Sequence, residues 1–270
     1  MRRRGPGVLD LDLLSERDCD VLRSVQEHRL MTTKQIERLW FWDHATPLSA
    51  ARICQRTLRR LVEHELLVRL NRRVGGYRSG SSGYCYRLST RGLRAVRMGG
   101  RTRTGSGEFS LAHWKHLIAC GEISVGLQVL ARTNWISDLR VIHEPHTWRR
   151  FLGPSITTEC LKPDLLVEFT TQGGWETRWF IEVDRSTESL PRVLRKCAQY
   201  ERYYRSGEES RISELFPKVL WSTPDEKRRD AIAAAVQHSN LSVQELFAFA
   251  TAEHTTTFLA GINEIPEPSL

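Results

Sequence analysis

Nine consecutive residues, Gly99-Gly100-Arg101-Thr102-Arg103-Thr104-Gly105-Ser106-Gly107, carry no apolar side chain. A Gly/Ser/Thr/Arg run of this kind has nothing to bury, so it reads as a linker between two separately packed modules. The charge changes sign across it. Residues 1–107 hold 22 Lys/Arg against 10 Asp/Glu, and the rest of the chain holds 18 against 22. The net charge of +8 is therefore a strongly basic module followed by a mildly acidic one. A basic module attracts a phosphate backbone through counterion release and long-range steering. A near-neutral mixed surface would serve solubility equally well. The expected division is residues 10–98, a linker at 99–108 and a second domain at 109–260, with a loose tail from Ile262 that contains Pro266 and Pro268.

Within 10–98 the periodicity predicts three helices and a hairpin. Ser15 is a good N-cap for Glu16 to Glu27, where Cys19, Leu22 and Val25 follow helical spacing. Thr32 or Thr33 caps a short second helix with Ile36, Leu39 and Trp40. Ser49 is expected to cap a third, with Ile53, Leu58, Leu61 and Val62 inward and Arg52, Gln55, Arg56, Arg59 and Arg60 outward. A strand at Leu67–Leu70, a Gly/Ser/Arg-rich loop from Arg72 to Gly83, a strand at Tyr84–Leu88 and a helix from Thr90 complete the series. That order is the order of a winged helix-turn-helix. A helix with an apolar back and an Arg/Gln front fits a major groove, where Arg reads guanine edges and Gln adenine edges. Arg72, Arg73 and Arg78 on the loop would reach a neighbouring groove or the backbone. The run Tyr86-Arg87-Leu88-Ser89-Thr90-Arg91-Gly92-Leu93 is similar to the Y-x-L-T-x-x-G close of the wing in bacterial winged-helix regulators. The bland reading is a protein-interaction module with a solvated basic face.

The second half reads as a long helix from His113 to Leu130, strands at Leu139–His143 and Lys162–Phe169, and a Gly173-Gly174 turn. A strand at Trp179–Asp184, a helix from Pro191 to Tyr204, a strand at Lys218–Trp221 and a helix through Arg228 to His238 follow. This is an α/β sandwich on a mixed sheet, and the chain as a whole is expected to be α/β. Its chemistry-bearing residues are Asp164, Glu182 and Asp184. Glu182 and Asp184 are two apart on one strand and so face the same side. Carboxylates converging from adjacent strands can hold a hard cation such as Mg²⁺ or Mn²⁺, and such an ion can activate water at a phosphate. The plain alternative is a set of acids salt-bridged to Arg185, Arg192 and Arg195.

Pro163-Asp164 followed by Phe180-Ile181-Glu182-Val183-Asp184 resembles the PD-(D/E)xK nuclease fold. The resemblance implies an acid on the first core helix, matched by Glu122, and a Gln-x-x-x-Tyr helix, matched by Gln199 to Tyr203. Asp184 stands where the motif has its lysine, with Lys196 as a substitute on the next helix and Lys162 as a weaker one. From about residue 15 to 230 the chain is similar to the replication-relaxation family of plasmids and mobile elements. That similarity rests on the His113…Glu122 helix, on Phe180-Ile181-Glu182-Val183-Asp184-Arg185-Ser186-Thr187-Glu188-Ser189 and on Gln199-Tyr200-x-x-Tyr203. It implies a double-stranded DNA-binding role in replication, relaxation or mobilisation, beside a relaxase or replication machinery.

The remaining signals exclude more than they assign. No apolar run approaches the roughly 20 residues of a membrane span, and no apolar segment follows the basic N-terminus to make a secretory signal. Six cysteines without a Cys-x-x-Cys pair fit reduced thiols in a cytoplasm, and the family resemblance implies a protein on a nucleoid or plasmid. His113/His116 and His143/His146 lack a convincing third zinc ligand. Tyr200, Tyr203, Tyr204, Trp175 and Trp179 read as core and rim more than as base-stacking groups. Three functions stay open. One is an accessory DNA-binding protein with a degenerate nuclease-like domain, with or without a homodimer. Another is a Mg²⁺-dependent endonuclease using Glu122, Asp164, Glu182, Asp184, Lys196 and Gln199. The third is a transcriptional regulator that needs only residues 1–107.

Overall fold

The structure, a computed structural model, describes residues 14–70, 83–96, 110–154 and 157–262. The expected linker at 99–108, the loop arginines Arg72, Arg73 and Arg78, and nearly all of the tail lie outside the described residues. The chain is α/β, with eight α-helices and a mixed five-stranded sheet among the described residues. It divides into two compact units, Met1–Gly121 and Glu122–Leu270.

The first unit opens with α1 (Glu16–His28). Ser15 accepts from the Asp18 N–H while the Asp18 carboxylate accepts from the Ser15 N–H, a reciprocal cap that satisfies two orphan donors. Strand β1 (Met31–Thr32) leads into α2 (Thr33–Trp40), where Thr32 and Gln35 repeat the same device. The third helix, α3, spans Pro47–Glu63. Its N-cap is Thr46 rather than Ser49. Pro47 occupies the first helical position, and Ser49 is the reciprocal partner three residues on. Ala50, Cys54, Leu58 and Leu61 form its buried row, so the inward frame runs through Cys54 instead of Ile53.

Strands β2 (Leu67–Leu70) and β3 (Cys85–Leu88) pair antiparallel, with Leu67 opposite Leu88, and β1 joins them in the order β1-β3-β2. Helix α4 (Thr90–Val96) follows directly. Its Gly92 is required sterically: a Cβ there would stand 2.0 Å from the Leu66 carbonyl oxygen. The Asp18 carboxylate is buried and receives Arg60 of α3 at 2.6 and 2.7 Å, tying α3 to the start of α1.

The unit boundary falls inside α5 (Leu111–Arg132). The second unit is built on the strands β4 (Ile136–His143), β7 (Leu165–Thr171), β8 (Glu176–Val183), β9 (Lys218–Thr223) and β10 (Phe247–Thr251). The sheet order is β10-β9-β8-β7-β4. The β4, β7 and β8 pairings are antiparallel, and β8–β9 and β9–β10 are parallel. Gly174, at φ 77°, makes the turn between β7 and β8.

Helices α6 (Leu190–Ser206) and α7 (Glu226–Gln237) cover one face. Phe180, Val193, Cys197, Tyr200, Tyr203, Trp221, Ile232 and Val236 close the core there. Helix α8 (Thr255–Ala260) lies on the other face, where the Phe258 ring meets Trp179 edge-on. A separate hairpin, β5 (Arg149–Leu152) with β6 (Thr158–Leu161), packs its Phe151 and Leu161 into the α6 core.

Candidate functional site

On α3 the outward positions Arg52, Gln55, Arg56 and Arg59 are all exposed, spaced to lie along one side of the helix opposite Cys54 and Leu58. None of the three arginines makes an ion pair with a described residue. Arg60 differs: it is turned to Asp18 and packs the unit together. The face is thus a cationic strip, ended by the exposed Glu63 in the last turn, and able to meet an anionic partner.

The acidic cluster sits where β7 begins and β8 ends. The Asp164 N–H donates to the Ile181 carbonyl at 3.1 Å, and its Oδ2 accepts from the Val183 N–H at 2.7 Å, so its carboxylate is fixed against the neighbouring strand. Glu182 is buried, facing α6. Its Oε1 accepts from the Tyr200 hydroxyl at 2.5 Å and its Oε2 from the Lys196 ammonium. Burial pushes the Glu182 carboxyl up to about 7, against the pull of Lys196, and the nearby Asp164 charge adds to the rise. Burial alone would lower Lys196, but the Glu182 and Asp164 charges outweigh it and hold the ammonium above the usual lysine value. Lys196 therefore stays cationic, and Glu182 is the partner whose ionisation is marginal near neutrality.

Asp184 faces the same side as Glu182 yet meets a different helix. Arg228 of α7 holds it with two hydrogen bonds, the Ser186 N–H adds a third at 3.1 Å, and its own N–H donates to the Ser222 carbonyl. Arg185, Arg192 and Arg195 are the cations that the plain alternative offers to the three acids together, and of these Arg192 pairs with Glu188 at 2.9 Å. Arg228 was missed because nothing in the order of residues singles it out among the basic positions of a helix 44 residues away.

The other expected members have surroundings of their own. Glu122 is exposed on α5, whereas Glu182 and Asp184 are buried. Gln199 turns to Glu159 and the Cys160 carbonyl at 3.4 Å. Tyr203, the other end of that motif, donates to buried Glu209, which also takes Arg149 at 2.8 Å and Arg178 at 3.1 Å. Lys162 is exposed, with its ammonium over the Trp148 ring.

As a metal set, Asp164, Glu182 and Asp184 do not fit. Both oxygens of Glu182 and both of Asp184 already accept from protein donors, and each of these acids has its own counter-cation, Lys196 and Arg228. No helix of the described residues is long and apolar enough to cross a membrane. A family model described as Replication-relaxation matches residues 22–219. No curated protein and no solved structure matches the chain.

Proposed function

The chain belongs to the replication-relaxation family, and from that premise we propose that it is a double-stranded DNA-binding protein of replication or relaxation on plasmids or mobile elements. Its first unit acts as a winged helix-turn-helix with α3 in the major groove, and its second is a PD-(D/E)xK-like domain without nuclease activity. The observation that carries DNA binding is the row Arg52, Gln55, Arg56 and Arg59, exposed on one side of α3 without a described acidic partner. Duplex DNA supplies both phosphates for such a row and base edges that Arg and Gln read in pairs of hydrogen bonds. Arg72, Arg73 and Arg78 are assigned to the adjoining loop contact.

The loss of catalysis follows from neutralisation inside the fold. An active metal site leaves carboxylate oxygens open to the ion, and here Lys196, Tyr200 and Arg228 take them. Glu182 and Lys196 then serve as a buried polar strut between β8 and α6. A role beside a relaxase or replication machinery, with or without a homodimer, belongs to the same reading.

The test is incubation of the purified protein with supercoiled and linear DNA, with and without Mn²⁺, beside Asp164→Ala. Retarded but intact DNA, identical for both proteins, is expected. Metal-dependent cutting that Asp164→Ala abolishes would overturn the inactive assignment and make the protein an endonuclease.

A further inference from the structure

The β5–β6 hairpin has two unlike faces. Inward lie Phe151 and Leu161, together with the acids and their partners: Glu159 takes Arg202 at 2.7 and 2.8 Å, and Arg149 reaches the buried Glu209. The outward positions alternate with these. Arg150 stands opposite Cys160 and Leu152 opposite Thr158, and just before β5 the Trp148 ring carries the Lys162 ammonium 4.4 Å from its centroid. Trp148, Arg150, Leu152, Thr158 and Lys162 are all exposed, and no acid occupies this outward row. Neither Arg150 nor Lys162 makes an ion pair with a described residue. Glu144 meets Trp148 only at the ring's Nε1 edge, 3.0 Å away.

We propose that this outward face binds single-stranded DNA, with Trp148 as a stacking platform and Arg150 and Lys162 as phosphate contacts. An exposed indole, one ring face taken by the Lys162 ammonium, beside two cations that make no ion pair with a described residue suits a chain of alternating bases and phosphates. Side chains on one face of a strand repeat every ~6.6 Å, near the span of one nucleotide in an extended strand. Duplex DNA keeps its base faces covered and gives an indole nothing to stack on, whereas unpaired bases stack on aromatics irrespective of sequence. The hairpin is tied to the acidic cluster through Thr147, whose buried hydroxyl donates to the Pro163 carbonyl at 2.6 Å, one residue before Asp164. A strand bound here would pass beside the start of β7. The proposal rests on the DNA-binding reading but uses a different surface from α3.

The experiment measures anisotropy of labelled oligo(dT) and of a labelled duplex with the full-length chain. The proteins are wild type, Trp148→Ala, Trp148→Phe, Arg150→Ala/Lys162→Ala and Arg52→Ala/Arg56→Ala. The ribbon variants are expected to weaken oligo(dT) binding about tenfold, the scale of one lost base stack, with Trp148→Phe keeping most of it and duplex affinity unchanged. The α3 variant should show the converse. Absence of oligo(dT) binding by wild type, unchanged oligo(dT) affinity in Arg150→Ala/Lys162→Ala, or equal losses on both DNAs would overturn the proposal. Intact duplex binding by the α3 variant would instead overturn the α3 assignment and leave the ribbon standing. Trp148 is half exposed and Arg150 and Lys162 lie at the surface, so the second ribbon variant remains informative should Trp148→Ala unfold.

Discussion

Arg228 grips Asp184 through Nε to Oδ2 at 2.7 Å and Nη2 to Oδ1 at 3.1 Å, and the same guanidinium reaches the Glu188 carbonyl at 2.6 Å. One arginine on α7 thus fastens the end of β8 and the loop that runs from it into α6. The Asp184 side chain is almost wholly buried, so its partner cannot be removed without leaving a charge stranded. Arg228→Ala is expected to lose about 3–5 kcal/mol in urea unfolding, the usual result of breaking a buried pair from one side. A loss under about 1 kcal/mol would mean that water replaces the guanidinium freely.

Glu182 gives a pH signature. Its folded value, near 7, stands above the ordinary 4.5, so between those two values the unfolded chain releases a proton that the folded protein keeps. The folded state then binds more protons, and its stability falls as pH rises through that window. Glu182→Gln should flatten the fall in unfolding free energy between about pH 4.5 and 7. Identical slopes for the two proteins would refute a raised Glu182.

The α3 face predicts how binding responds to salt. Each neutralised phosphate adds roughly 0.9 to the slope of log affinity against log salt. Replacing Arg52, Arg56 and Arg59 together by alanine should therefore reduce the slope on duplex DNA by about 3, measured as anisotropy in a KCl series. A slope equal to that of wild type removes α3 from the interface.

Gly92 predicts a steric loss. Alanine there would drive its methyl into the Leu66 carbonyl, with the Leu88 side chain 3.2 Å from the same point. Overpacking of this kind costs ~1–3 kcal/mol or more, and a backbone oxygen yields less than a side chain does. Gly92→Ala should lower the thermal midpoint of the first unit, read by circular dichroism. An unchanged midpoint would show that α4 shifts without cost.

Reciprocal caps made α1 and α2 legible, since Ser15 and Thr32 each precede an apolar row at helical spacing. On α3 the same rule misled by three residues. Ser49 is a capping residue type, but Thr46-Pro47 opens the helix and Ser49 answers from its first turn. The mixed sheet followed from the apolar runs around Val167 and Ile181. The β5–β6 hairpin did not, because Arg149-Arg150-Phe151-Leu152 and Thr158-Glu159-Cys160-Leu161 each bury little and satisfy their inward polar groups on α6 and Glu209. Asp164 and Glu182 stand out through the Pro-Asp and Glu-x-Asp strings, and Lys196, named as a substitute for the absent motif lysine, sets its ammonium on Glu182. What sequence order does not encode is which cation answers which acid, since that depends on how α6 and α7 are rotated over the sheet.

Tyr200 and Tyr203 stand three residues apart on α6 and donate to two different buried glutamates, Glu182 on β8 and Glu209 in the turn beyond the helix. The mechanical result is a helix keyed at two points. A slide or roll by one position would unseat both phenols at once and leave each of two buried carboxylates short of a donor. Motion within this unit is therefore expected to carry β8, α6 and the Glu209 turn together as a single lever, leaving any compliance to the parts that neither phenol touches.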